Sequence, residues 1–240
     1  LAPAFVDTHQ HFASFATFHA GLNVMDASSN VEIGQMVRNF AAKCHAKTLI
    51  AFGASPYSVK EGRLISREEL DAACPNKPLM VVKYDGHACV VNTMLREKLK
   101  GKISNLRGYH ADTGEMNQEA FFAVSDAITK SLSTVELIKN MQKAMDYEAS
   151  HDIGTVHSVS GVGFPMNLDI SLEQWIGKSA QSGFQLRVFP QSMRIETATK
   201  RGLPRVGGCF ACALDGCFGS RDAALHEPYE NSDSKGILYH

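Results

Sequence analysis

Near its start the chain places a carboxylate and two imidazoles at alternate positions, Asp7-Thr8-His9-Gln10-His11, directly after the apolar run Ala4–Val6. Side chains two residues apart share one face of a β-strand, so Asp7, His9 and His11 are expected to point together, and two imidazoles at that spacing can hold one divalent metal. The competing reading is that one or both histidines are solvent-facing loop residues. Position favours chemistry, because ligands of α/β folds gather at the carboxyl ends of strands. Two glycine-marked turns carry further polar groups: Asp85-Gly86-His87 with Asn92 beyond it, and Asp215-Gly216 followed by Ser220-Arg221-Asp222. Glycine lets the backbone approach a ligand closely, and an arginine there could clamp a carboxylate. Arg221 could equally pair with Asp215 or Asp222 to hold the loop, and that reading ranks first. For His87 the plain alternative is a turn histidine after a glycine.

Elements must place these groups. Six β-branched or apolar runs read as strands: Ala4–His9, Thr48–Gly53, Leu79–Tyr84, Thr155–Ser160, Phe184–Phe189 and Gly208–Ala213. Ser29 with Glu32, Ser66 with Glu69, Ser133 with Glu136, and Ser171 with Gln174 match the capping box that opens a helix. Over Thr134–Ser150, Leu137, Ile138, Met141, Ala144 and Met145 form one apolar stripe. Strands alternating with helices imply βαβ units and a mainly parallel sheet, doubly wound or closed as a barrel. Lys98–Glu119 interrupts the rhythm and reads as an insertion or linker. Six strands do not close an eight-stranded barrel, so either strands lie outside this chain or the open edge pairs with another chain. The Leu1-Ala2-Pro3 opening suggests a trimmed parent.

Composition sets the class. The 240 residues are 44% hydrophobic and 20% charged, as in a globular protein with a sizeable core, which excludes a disordered or fibrous chain. With 24 Lys+Arg against 25 Asp+Glu, no basic excess is present to hold nucleic acid. No apolar run approaches the roughly 18 residues of a membrane helix and Leu1–Asp7 lacks a charged signal region, so no membrane partner and a cytoplasmic location are expected. Six cysteines are too sparse for a disulfide scaffold and read as reduced thiols. Cys209 and Cys212, three apart in an expected strand, would face opposite ways and serve packing rather than chelation. Neither a nucleophile elbow nor a complete dinucleotide fingerprint is present.

Three segments together resemble one family: Pro3-Ala-Phe-Val-Asp7-Thr-His9-Gln-His11-Phe, Asp85-Gly-His87-Ala-Cys-Val-Val-Asn92, and Leu214-Asp215-Gly216-Cys-Phe-Gly219-Ser220-Arg221 continuing to Pro228-Tyr229. They are similar to amidohydrolase family 3, the branch that includes N-substituted formamide deformylases and the exoenzyme regulatory proteins. The resemblance implies an α/β fold, a partial (β/α)8, TIM-like barrel, with residues 1–240 its central part and the barrel incomplete in this chain. It implies a divalent metal, zinc for imidazole ligands, held by His9 and His11, with Asp7 as an orienting carboxylate in the catalytic set. Metal-bound water and a polarised carbonyl would hydrolyse an amide or cyclic amide of a small molecule. His87 would be catalytic, holding the carbonyl oxygen, and Asn92, Asp215 and Arg221 would bind substrate. Departures from the family pattern are Ala211, where many members have a lysine that could bridge two metals, and Ser158, where they have a carboxylate. A binuclear centre is therefore not expected, and a catalytically silent regulatory or binding module is the alternative. An unclosed parallel sheet also predicts self-association.

Overall fold

The computed structural model describes residues 2–161, 163–180, 183–207, 213–218, 221–230 and 232–238. The chain begins with β1 (Phe5–Gln10), α1 (Phe12–His19), β2 (Leu22–Asn23), α2 (Asn30–Lys43), β3 (Leu49–Ala54), α3 (Arg67–Ala73) and β4 (Leu79–Lys83). It continues with β5 (Ala88–Val91), α4 (Thr93–Ile103), β6 (Glu115–Asn117), α5 (Gln118–Thr129) and α6 (Thr134–Ser150). Last come β7 (Ile153–Ser160), α7 (Leu168–Ser179), β8 (Gln185–Pro190) and α8 (Glu196–Thr199). These elements form two compact units, Leu1–Ala20 with Thr129–His240, and Gly21–Ile128.

In the first unit three parallel strands lie in the order β1-β7-β8. Phe12, Ala13 and Ala16 of α1, Leu137, Met141, Ala144 and Met145 of α6, and Leu172 and Ile176 of α7 form a core with Val156 of β7. This is the stripe expected on α6, with Ile138 packed at its margin. On β1 the exposure pattern lacks any buried position, and Phe5 and Val6 are 69% and 51% exposed. An edge strand with free backbone groups and apolar side chains in solvent is a site for further pairing.

The second unit holds a five-stranded sheet, order β2-β3-β4-β5-β6, parallel as far as β4 and antiparallel beyond it. All five residues of β4 are buried: the apolar run Leu79–Val82, as a strand covered on both faces should be, and Lys83 at its end. The expected mainly parallel arrangement thus turns into a meander at the Asp85-Gly86 turn, where Gly86 takes φ +71°. The stretch 98–119 carries the end of α4 and then β6, which pairs with β5.

Three of the four capping boxes start helices. Ser66 and Ser133 make both reciprocal bonds, and Ser29 caps α2 through the Glu32 N–H. The fourth does not: Ser171 and Gln174 lie inside α7, whose preceding residue Asn167 adopts a left-handed conformation, and the Gln174 amide donates to the Arg201 carbonyl instead. The expected strand Gly208–Ala213, with Cys209, Ala211 and Cys212, lies outside the described residues except for Ala213. Among the described residues no helix is long and apolar enough to cross a membrane.

Candidate metal centre

Residues 9 to 11 lie where β1 ends and α1 begins, with His11 as the residue before the helix. The simple pleat does not persist to this point. Asp7 is opposite Val156 but Gln10 is opposite Ser158, so β1 carries one residue more than β7 over this span, a bulge centred on Thr8 and His9. Bulges re-aim side chains, and here the two imidazoles meet edge to face with ring centres 5.6 Å apart. Two neighbouring imidazoles at a strand end are donors of the type zinc takes.

His11 has a defined orientation. Its Nδ1 lies 3.2 Å from the Val159 carbonyl oxygen. The Gln191 side-chain Nε2 lies 3.4 Å from the same Nδ1, so the ring is approached by both a carbonyl oxygen and an amide nitrogen. The same carbonyl accepts the Gln191 side-chain amide at 3.1 Å, from a buried residue just beyond β8. His9 is exposed, in part as the loop reading expected. Asp7 is half-buried, and its Oδ1 accepts the backbone N–H of His9 at 3.0 Å, so it shapes the bulge through the main chain. Between the histidines, Gln10 donates through Nε2 to the buried Glu148 of α6 at 2.7 Å, which ties the strand end to the helix layer. Among the described residues no group of three His, Cys, Asp or Glu is placed to hold a metal.

Behind His11 is a polar network without a signal in residue spacing. Ser158 and Ser160 share the face of β7 that carries Val156, and their hydroxyls are 2.9 Å apart. Ser160 donates to Glu173 of α7 at 2.5 Å, and Asp169, one turn earlier, accepts the Gly161 N–H at 2.5 Å. Glu173 is fully buried, and desolvation first, with the nearby Asp169 charge adding, pushes its carboxyl up to about 8. Burial raises Asp169 in the same direction.

The other expected site residues have local duties. In the second unit, His87 is half-buried, with its ring Nδ1 2.7 Å from the Asp85 carbonyl and its N–H on the Asp85 carboxylate. Asp85 also pairs with the buried Lys83 at 2.9 Å. Asn92, expected to line a substrate pocket, is fully buried. Its Oδ1 accepts the Leu79 and Leu95 N–H groups and its Nδ2 donates to the Cys74 and Lys77 carbonyls, so every bond its amide can make serves the chain itself. In the first unit, Asp215 is half-buried and accepts the Ala224 N–H at 2.9 Å. Arg221 is exposed, at φ +58°, and reaches the Glu230 carbonyl at 3.5 Å. Asp215 therefore holds this loop through a backbone bond. Ser220 lies outside the described residues.

Parallel strands with helices between them, bearing paired imidazoles at a strand's carboxyl end, place this chain in the class of partial TIM-like α/β hydrolase folds. The chain belongs to the amidohydrolase family, in its family 3 form, whose model matches residues 1–239. Its fold is similar to that of an uncharacterized metal-dependent hydrolase from Pyrococcus horikoshii OT3, at 21% identity and TM-score 0.63 over 99% of this chain and 48% of that one. A second such hydrolase, from Pyrococcus furiosus, is 19% identical with TM-score 0.63 over 99% of this chain and 50% of that one. The chain thus spans about half the length of these structures. No curated protein matches its sequence.

Proposed function

We propose that this chain carries the first-strand part of a metal-dependent hydrolytic site that cleaves C–N bonds of small amides or cyclic amides, N-formyl and N-acyl amines among them. The observation that carries the reading is the His9–His11 pair at the end of β1, its rings 5.6 Å apart and the His11 ring beside the Val159 carbonyl. Family membership supports the reaction class, and the imidazole donors support zinc. When bound, zinc would lower the pKa of a coordinated water toward 7 and polarise the scissile carbonyl. The residues of the chain do the rest. His9 and His11 hold the ion, Asp7 fixes the bulge that brings them together, and Gln10 with Glu148 anchors that strand end against α6. We further propose that His87, steadied by Asp85, contacts substrate in the whole protein. In the full-length protein, which supplies the rest of the site, the expected outcome is zinc-dependent hydrolysis of N-formyl or N-acyl amines that is lost in His9→Ala; this chain by itself is expected to be inactive. Hydrolysis unchanged by that substitution sinks the proposal.

One observation favours a second reading, a binding or regulatory module without turnover: no third ligand joins the pair among the described residues. A folded protein with no zinc uptake and no hydrolysis would select it.

The exposed edge of β1 carries a further expectation, self-association of the chain through unpaired backbone groups and the exposed Phe5 and Val6. Light scattering should show a mass that rises with concentration. A monodisperse monomer across concentrations would rule this out.

A further inference from the structure

We propose that the face of the β1-β7-β8 sheet opposite its helices carries a binding site for an oxyanion, the group common to carboxylates and phosphates, held by Arg187, Arg205 and His157. Strand alternation and register define that face. Val156 of β7 and Leu186 of β8 are partners in the ladder, and both pack in the core with α1, α6 and α7. His157, Arg187 and Phe189 alternate with them and so point the other way, Arg187 being exposed between a half-buried and a buried neighbour. His157 is directly opposite Arg187, on strands about 4.8 Å apart. Its ring lies against Phe189 with centres 5.1 Å apart, and the Arg205 guanidinium is 5.0 Å from the centre of the same Phe189 ring. Arg205 arrives on the segment just beyond β8, where Gly207 bridges to Gln191 and extends the sheet.

Three chain segments thus bring two guanidinium groups and an imidazole to one aromatic ring. Like charges side by side on a sheet are unfavourable. Among the described residues neither Arg187 nor Arg205 has an ion pair, whereas Arg63, Arg67, Arg96 and Arg107 each hold a glutamate. Arg187 gives one N–H to Gln185 Oε1 at 2.7 Å, which steadies its guanidinium along the strand, and cation–π attraction to Phe189 steadies that of Arg205. A guanidinium offers parallel N–H groups that match two oxygens of a carboxylate or phosphate, and an imidazole adds a further donor. An oxyanion on this face neutralises the charge that the chain leaves unpaired there. The site stands independently of the reading of His9 and His11 as metal ligands.

The test titrates the 240-residue chain with inorganic phosphate and, separately, with acetate, at constant ionic strength made up with sodium chloride, following the arginine Nε–H and histidine ring signals by NMR. Saturable shifts at Arg187, Arg205 and His157 with at least one of the two anions are expected; phosphate alone or acetate alone supports the site and tells which source it takes. Arg187→Gln and Arg205→Gln are each expected to weaken binding about tenfold, the scale of one hydrogen bond to a charged group. Arg38→Gln, at an exposed arginine of the second unit, is expected to leave it unchanged. No saturable binding of either anion overturns the proposal. So does undiminished binding by a folded Arg187→Gln/Arg205→Gln variant, and so does a loss in Arg38→Gln equal to that in Arg187→Gln, which would reduce the effect to net charge.

Discussion

Raising the pH from 5 to 8 is expected to destabilise this protein, and Glu173→Gln is expected to remove most of that loss. The buried Glu173 carboxyl holds its proton until about pH 8 in the folded chain, against an ordinary value of 4.5. Between those values the folded state binds a proton that the unfolded state has released, so stability is full below 4.5 and falls as the pH rises toward 8. The span corresponds to about 5 kcal/mol at most. Asp169 adds a loss of the same sign, which the variant retains. His19, lowered chiefly by burial, contributes the opposite sign near its ordinary 6.5, and it too is common to both proteins. The difference between wild type and variant therefore isolates Glu173. Urea unfolding at intervals from pH 5 to 8.5 should give two curves that diverge, the variant being the flatter. Parallel curves would mean that Glu173 is ionised in the folded chain.

The second large effect belongs to Asn92. Truncation to alanine leaves two N–H groups, of Leu79 and Leu95, and two carbonyls, of Cys74 and Lys77, without the side chain that satisfied them. Each such group costs about 1–3 kcal/mol when it stays buried, and with partial relaxation the total is expected at about 4 kcal/mol. Aspartate discriminates the cause. It caps helices as well as asparagine does, so if Asn92 acted only as the cap of α4, Asn92→Asp would be nearly neutral. The structure predicts a loss close to that of alanine, because a carboxylate would face the Cys74 and Lys77 carbonyls. A neutral Asn92→Asp in chemical denaturation would return Asn92 to the simple role of a cap.

The sequence made parts of this legible for identifiable reasons. Strands β1, β3, β4, β7 and β8 are short apolar runs with turn residues at their borders, and they lie within two residues of the expected limits. Helices α2, α3 and α6 announce themselves through Ser29, Ser66 and Ser133, whose bonds are local and so follow from spacing alone. Where tertiary structure decides, the sequence is silent. Ala88–Val91 is too short to show a period, and its antiparallel pairing follows from the Asp85-Gly86 turn. Two acids four apart on α7 look like a solvent face, yet Asp169 and Glu173 point inward because Ser160 and Gly161 meet them there. The histidine pair was visible as a spacing. The bulge that brings its rings together was not, since it depends on the register of β7 against β1.

The central claim is that His9 and His11 hold a metal, and zinc content by elemental analysis of the purified chain beside its His9→Ala/His11→Ala variant tests it most directly. Zinc that accompanies the wild type and falls to background in the variant is the predicted result. Zinc retained equally by the variant, or none taken up by the wild type when it is supplied, would contradict it.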